Sequence, residues 1–199
     1  MTYKIAVFSS TRGTVLQAIM DELKAGEMPG IELAGAFSNR KSCGAIVRAE
    51  EAGFPTFTFS TKDKSREDYD AEVLEKLAEL DVDLIVLVGY MRILSSGFVQ
   101  AYEDRIINVH PSLLPDFAGG MDANVHQDVL DAGVKKTGMT IHLVDESVDG
   151  GKILLQKECE VEDGETVGSL KAKVQALECQ WMPEVIRQFA DGRIQKSIE

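Results

Sequence analysis

Asn108 and His110 lie two residues apart in the apolar run Ile106-Ile107-Asn108-Val109-His110 and bring an amide and an imidazole, groups that donate hydrogen bonds and carry protons, to one end of it. On an extended chain, residues i and i+2 leave the same face. Pro111 and Pro115 follow at once in Pro-Ser-Leu-Leu-Pro, and a residue without a backbone N–H cannot continue a central paired strand. The polar pair therefore stands where a buried strand passes into a loop, which is where open α/β folds collect their chemistry. A strand-terminal Asn and His equally suit a simple turn cap, and spacing alone leaves both readings open.

Three further segments carry residue types that bind or react. Ser9-Ser10-Thr11-Arg12-Gly13-Thr14 has neither the G-x-G-x-x-G of a dinucleotide site nor a Walker lysine. Its hydroxyls, glycine and arginine ahead of a helix suit a phosphate cradle, with a plain capped turn as the alternative. Gly89-Tyr90-Met91-Arg92-Ile93-Leu94 offers a glycine that permits close approach and apolar side chains for a flat slot, or ordinary core. His142 through Gly151 places an imidazole, carboxylates and a glycine pair at a strand end, where a structural histidine and a solvated turn compete with any catalytic role. His126 sits on a separate helix pattern without an evident partner. Three histidines so dispersed support no metal site, and Cys43, Cys159 and Cys179 support neither a zinc site nor a disulfide framework.

Positioning these segments falls to an alternation of strand and helix patterns. Lys4–Phe8, Ile31–Phe37, a short stretch near Thr56–Phe59 and the continuous apolar run Asp83–Val88 read as strands. Thr14–Lys24, Gly44–Ala52 and Glu67–Leu80, the last with Ser65 as N-cap, read as helices. This order implies right-handed crossovers and a parallel sheet covered on both faces, a Rossmann-like α/β fold. After a helix over Ala123–Leu130, Met139–Val144 and Ile153–Val161 are separated only by Asp145–Lys152, too short for a helical crossover, so an antiparallel extension is expected. Glu165–Phe189 closes the chain as a helix with Leu170, Val174, Leu177, Trp181 and Val185 as core and Pro183 bending it.

With 199 residues, 44% of them hydrophobic and 27% charged, and no linker-like stretch, the chain reads as a single domain over 1–199. A net charge of −12 opposes nonspecific binding to nucleic acid. An anionic ligand needs a local basic pocket, for which Arg12, Arg66 and Arg92 are candidates. No apolar run approaches the ~20 residues of a membrane span, and the start of the chain has no leader pattern, so a soluble cytoplasmic protein without a membrane partner is expected.

Four segments together resemble the folate-dependent formyltransferases, in particular their purine-pathway branch that acts on glycinamide ribonucleotide. These are Arg12-Gly13-Thr14 with Leu16-Gln17-Ala18-Ile19; Met91-Arg92-Ile93-Leu94; Asn108 through Pro115; and His142 through Gly151 with Ile153-Leu154-Leu155-Gln156. The resemblance covers nearly the whole chain. It implies a Rossmann-like formyltransferase fold, with a mostly parallel central sheet, helices on both faces and an antiparallel C-terminal extension. The activity it implies is transfer of the formyl group of 10-formyltetrahydrofolate, a cosubstrate, to the amine of glycinamide ribonucleotide without a metal, in a monomer or homodimer. By the same resemblance Asn108, His110 and Asp149 surround the formyl group, with His142 in support. Arg12, Gly13, Thr14, Arg66, Gly89 and Glu178 contact the acceptor, and the pterin lies between Met91-Arg92-Ile93-Leu94 and Val144-Asp145. Attack by the amine creates an oxyanion to which Asn108 and a protonated His110 would donate, and Asp149 is expected to keep that imidazole charged.

The pattern departs from the family at Val15, where Asn is common, at Asp116, where a basic residue is common, and in the longer stretch from Phe117 to His126. All three bear on the acceptor end. Another amine acceptor, hydrolysis of the same folate, and a folate- or nucleotide-binding module without turnover are the alternatives; an RNA-binding extension has no room here.

Overall fold

A computed structural model describes residues 2–120 and 122–194. Its elements run β1 (Tyr3–Phe8), α1 (Thr14–Ala25), β2 (Ile31–Ser38), α2 (Gly44–Glu51), β3 (Thr56–Thr58), α3 (Arg66–Glu79), β4 (Leu84–Leu87), α4 (Ser96–Ala101), β5 (Ile106–His110), α5 (Asp122–Asp131), β6 (Lys136–Leu143), β7 (Ile153–Glu160) and α6 (Val167–Ala190). The strands form one sheet in the order β3-β2-β1-β4-β5-β6-β7. Pairing is parallel from β3 through β5 and antiparallel from β5 through β7, as the sequence patterns imply.

The period-two alternation of β1 divides the core between two layers. Ile5 and Val7 face Leu16, Ile19 and Met20 of α1 and Val174, Met182 and Ile186 of α6. Ala6 and Phe8 face Tyr69, Val73 and Leu77 of α3 and Phe98 of α4. With helices on both sides, every residue of β4 is buried, which accounts for its unbroken apolar run. Trp181 and Leu177 pack against the first layer, and Pro183 is accommodated inside α6. Val125 and Val129 of α5 make a smaller cluster with Leu170 of α6.

Two elements differ from the sequence reading. The six-residue helix α4 is too short to show a helical period; Ser95 caps it by accepting from the Phe98 N–H, and the buried Asp70 carboxylate accepts from the Ser95 N–H at 2.7 Å. β6 starts at Lys136 rather than Met139, because its pairing with β7 runs out to Glu160. Among the described residues no helix is long and apolar enough to cross a membrane.

The chain reverses its direction of travel across the sheet at β1, which has β2 on one side and β4 on the other. Loops leaving the carboxyl ends of β1 and β4 therefore part around a crevice, the usual ligand position in such folds. β5 delivers Asn108 and His110 to the same edge.

Candidate active site

A cavity of about 380 Å³ opens at the carboxyl ends of β1, β4 and β5. It is lined by Asn108, His110, His142 and Asp149, by Gly13, Thr14, Arg66, Gly89 and Glu178, and by Met91, Arg92, Ile93, Leu94, Val144 and Asp145. Of the residues expected at a site, Arg12 alone is absent from it and lines an adjoining hollow that shares Thr11, Thr14 and Gln175. The cause is local: the Arg12 carbonyl accepts from Arg48 Nε of α2 at 2.9 Å, which draws this part of the loop toward α2.

Antiparallel pairing of β5 with β6 sets the polar centre. Asn108 stands opposite His142 and His110 opposite Thr140. His142 Nδ1 donates to its neighbour's carbonyl, Leu143 O, at 2.8 Å, so in the neutral ring the Nε2 lone pair faces Asn108 Nδ2, 3.2 Å away. The amide is thereby turned with its second N–H left for another acceptor. Thr140, fully buried, accepts from the Leu114 N–H at 3.0 Å and donates to Ser112 O at 2.7 Å, while Gln156 Nε2 donates to Leu114 O at 2.8 Å. The Pro-Ser-Leu-Leu-Pro loop is thus pinned to β6 and β7, with a cis bond between Leu114 and Pro115.

Asp149 joins both histidines. Its Oδ2 lies 3.2 Å from His110 Nδ1 and its Oδ1 3.6 Å from His142 Nε2, and Oδ2 also accepts from the Gly119 N–H at 2.9 Å. Burial alone would raise its carboxyl pKa, but hydrogen bonds from His142 and Gly119 and the nearby imidazoles outweigh burial and hold it below the usual range. His110 goes the other way. The ring is 3% exposed, and desolvation lowers its pKa by more than Asp149 and the Phe117 carbonyl, 3.0 Å from Nε2, raise it. The expectation that Asp149 keeps His110 charged is therefore corrected: burial wins, and the ring is neutral at pH 7 even though both of its nitrogens face acceptors.

The first loop and the β4 loop are tied together by Ser10, whose hydroxyl donates to Asn39 Oδ1 at 2.6 Å and accepts from the Met91 N–H at 3.1 Å. Gly13 opens α1 in the left-handed region (φ 74°), and no side chain caps the helix, so its first N–H groups point outward unsatisfied by a cap. Gly89 (φ 65°) lies so close to Thr11 that a Cβ there would sit 2.7 Å from Oγ1. In the slot, the Arg92 guanidinium lies 4.2 Å above the Tyr69 ring while its buried Nε has no hydrogen-bond partner. Burial raises the Tyr69 and Tyr90 hydroxyl pKa values, so both stay protonated, 3.1 Å apart. Ile93 and Val148 leave apolar surface at the cavity, 60% and 58% exposed. A flat heterocycle fits these features: apolar faces to lie between, and a buried donor that lacks an acceptor.

Sequence reasoning missed the Phe117 carbonyl, Gly119, Thr140 and Gln175. Thr140 is two residues from His142 on one strand face, a signal that was present; a backbone carbonyl leaves none. His126 is buried on α5 and does not line the cavity. Among the described residues no group of histidine, cysteine and carboxylate side chains is disposed to hold a metal ion.

Known proteins share this arrangement of chain and sequence. A family model described as Formyl transferase matches residues 3–186. Phosphoribosylglycinamide formyltransferase of Haemophilus influenzae is 39% identical over 192 residues, 96% of this chain and 89% of that protein. Its Bacillus subtilis namesake is 39% identical over 187 residues, 94% of each. The crystal structure of glycinamide ribonucleotide transformylase 1 from Symbiobacterium toebii superposes with a TM-score of 0.92 at 38% identity, covering 100% of this chain and 91% of that one. The sheet order, the antiparallel return and the family match over nearly the full length agree: the chain belongs to the formyl transferase family.

Proposed function

We propose that this protein transfers the formyl group of 10-formyltetrahydrofolate to the amine of glycinamide ribonucleotide, a step of purine biosynthesis, in the cytoplasm and as a single domain. The observation that carries the reading is the convergence of Asn108, His110 and Asp149 on one cavity whose far end is the uncapped start of α1. The folate supplies an electrophilic formyl carbon. Met91 to Leu94 on one side and Val144 and Asp145 on the other hold its pterin; Arg12, Gly13 and Thr14 meet the acceptor's phosphate, and Arg66, Gly89 and Glu178 line its path.

Asn108 donates its free N–H to the formyl oxygen as negative charge develops there, and His142 keeps the amide turned the right way. The new N–C bond forms as the folate C–N bond breaks, so one proton must leave the amine and one must reach the folate nitrogen. His110 is suited to carry it. The ring is neutral before reaction, and the proton it gains is met by hydrogen bonds to Asp149 and the Phe117 carbonyl. Asp149 stays ionised throughout and steadies the imidazolium. Holding both substrates in one crevice supplies much of the remaining acceleration.

A formyl-transfer assay offering glycinamide ribonucleotide beside water and other primary amines tests this. Formylated ribonucleotide as the dominant product is expected; formate release alone, or preference for another amine, overturns the acceptor assignment.

A further inference from the structure

The adjoining hollow, about 500 Å³, is lined by Arg12, Arg40 and Lys171, by hydroxyls of Ser10, Thr11, Thr14 and Ser42, and by no carboxylate. In a chain of net charge −12 such a surface is out of keeping with its surroundings. Neither the Arg12 nor the Arg40 guanidinium forms an ion pair among the described residues.

The hollow also collects two helix starts. Gly13 precedes α1 and Cys43 precedes α2, and neither helix has a side-chain cap, whereas Ser65, Ser95 and Thr166 cap α3, α4 and α6. Two glycines bring these ends together. A Cβ on Gly13 would lie 2.5 Å from Ala45 Cα, and one on Gly44 would lie 2.9 Å from Arg12 O. The positive ends of two helix dipoles therefore meet beside the arginines, where an anion is favoured by all of them. Arg40 is held in place by its backbone: its N–H donates to the buried Ser38 hydroxyl at 3.1 Å, and its carbonyl accepts from the Cys43 N–H at 3.3 Å.

We infer that this hollow takes the phosphate dianion of the acceptor, and that Arg40 with the start of α2 are specificity-determining elements that select a phosphorylated acceptor. The inference rests on the reading of the main cavity as a formyl-transfer site, because the hollow joins that cavity through Thr11, Thr14 and Gln175. An acceptor with its amine near Asn108 would pass Gly89 and Thr11 and leave its charged end here.

The test has two arms. In the first, kcat/KM is measured for glycinamide ribonucleotide and for its dephosphorylated riboside with wild type, Arg40→Gln and Arg40→Lys. Arg40→Gln is expected to lower kcat/KM for the ribonucleotide at least tenfold and for the riboside less than twofold, with Arg40→Lys recovering part of the loss. Equal losses on both acceptors, or none, overturn the inference. In the second arm, binding of inorganic phosphate is followed by phosphorus NMR with no acceptor present. Weaker binding by Arg40→Gln is expected, and undiminished binding overturns the subsite. If wild type binds phosphate through Arg40 yet formylates no ribonucleotide, the subsite stands and the acceptor assignment fails.

Discussion

Asn108 gains its meaning from the group behind it. An exposed amide rotates freely, but here the Leu143 carbonyl fixes the His142 tautomer, and the His142 lone pair fixes the amide. Asn108→Ala removes the donor and is expected to lower kcat by about 10²- to 10³-fold, measured by single-turnover formyl transfer. His142→Phe removes only the orienting hydrogen bond, worth ~1 kcal/mol, so a loss of roughly fivefold confined to kcat is expected. His110 provides a test that needs no substrate. Because burial lowers its pKa and Asp149 partly counters this, an imidazole NMR titration should show a midpoint below 6.5 in wild type and lower still in Asp149→Asn. The sign for stability follows: the unfolded ring binds a proton more readily, so the contribution of His110 is full above pH 6.5 and is lost as pH falls through the lowered folded value. Residue types in the sequence were enough to select Asn108 and His110, and the resemblance added Asp149. They were not enough to give the charge state of His110, which depends on how completely other segments bury it.

At the level of elements, β6 does more than extend the sheet. It sets His142 opposite Asn108 and Thr140 opposite His110, so one strand orients the amide and anchors the loop that follows the imidazole. Thr140→Val keeps the shape but strips the Leu114 N–H and Ser112 carbonyl of their partner, and leaving buried groups unsatisfied costs about 1–3 kcal/mol. Urea unfolding should show that loss, together with reduced formyl transfer as the Pro-Ser-Leu-Leu-Pro loop loosens. The period-two and 3.6-residue patterns revealed β1, β4, β5, α1 and α3 because each buries an apolar face. α4 escaped since six residues make too few turns to show a period, and its position depends on Asp70 from a distant part of the chain. The hollow beside α1 escaped for a related reason. Arg40 lies on an exposed turn, and only the tertiary approach of Gly13 to Ala45 brings it beside Arg12.

Across the whole molecule, the site is assembled from both ends of the chain. α1 comes from the first strand-helix unit, Asn108 from the middle, and Gln175 and Glu178 from α6, which packs on α1 through Leu16, Ile19, Met20, Met182 and Ile186 and through an ion pair of Arg187 with Glu22. The same helix closes the first core layer and, through Leu170, the cluster with α5. A boundary between the parallel strands and the antiparallel return would cut through β5 and β6, whose pairing holds the polar centre. We therefore propose one cooperative folding unit over the described chain. Trp181, packed on the first layer with Lys157 3.7 Å from its ring centroid, reports that layer alone, while far-UV circular dichroism reports every helix. Under urea the two signals should share one midpoint, and a folate ligand at about 100 times its Kd should stabilise both by the same ~2.7 kcal/mol. Separate midpoints, or a ligand shift in only one signal, would divide the chain into two units. The cavity would then lie between bodies that move independently, and the Asn108–His142 geometry would have to be restored at each binding event.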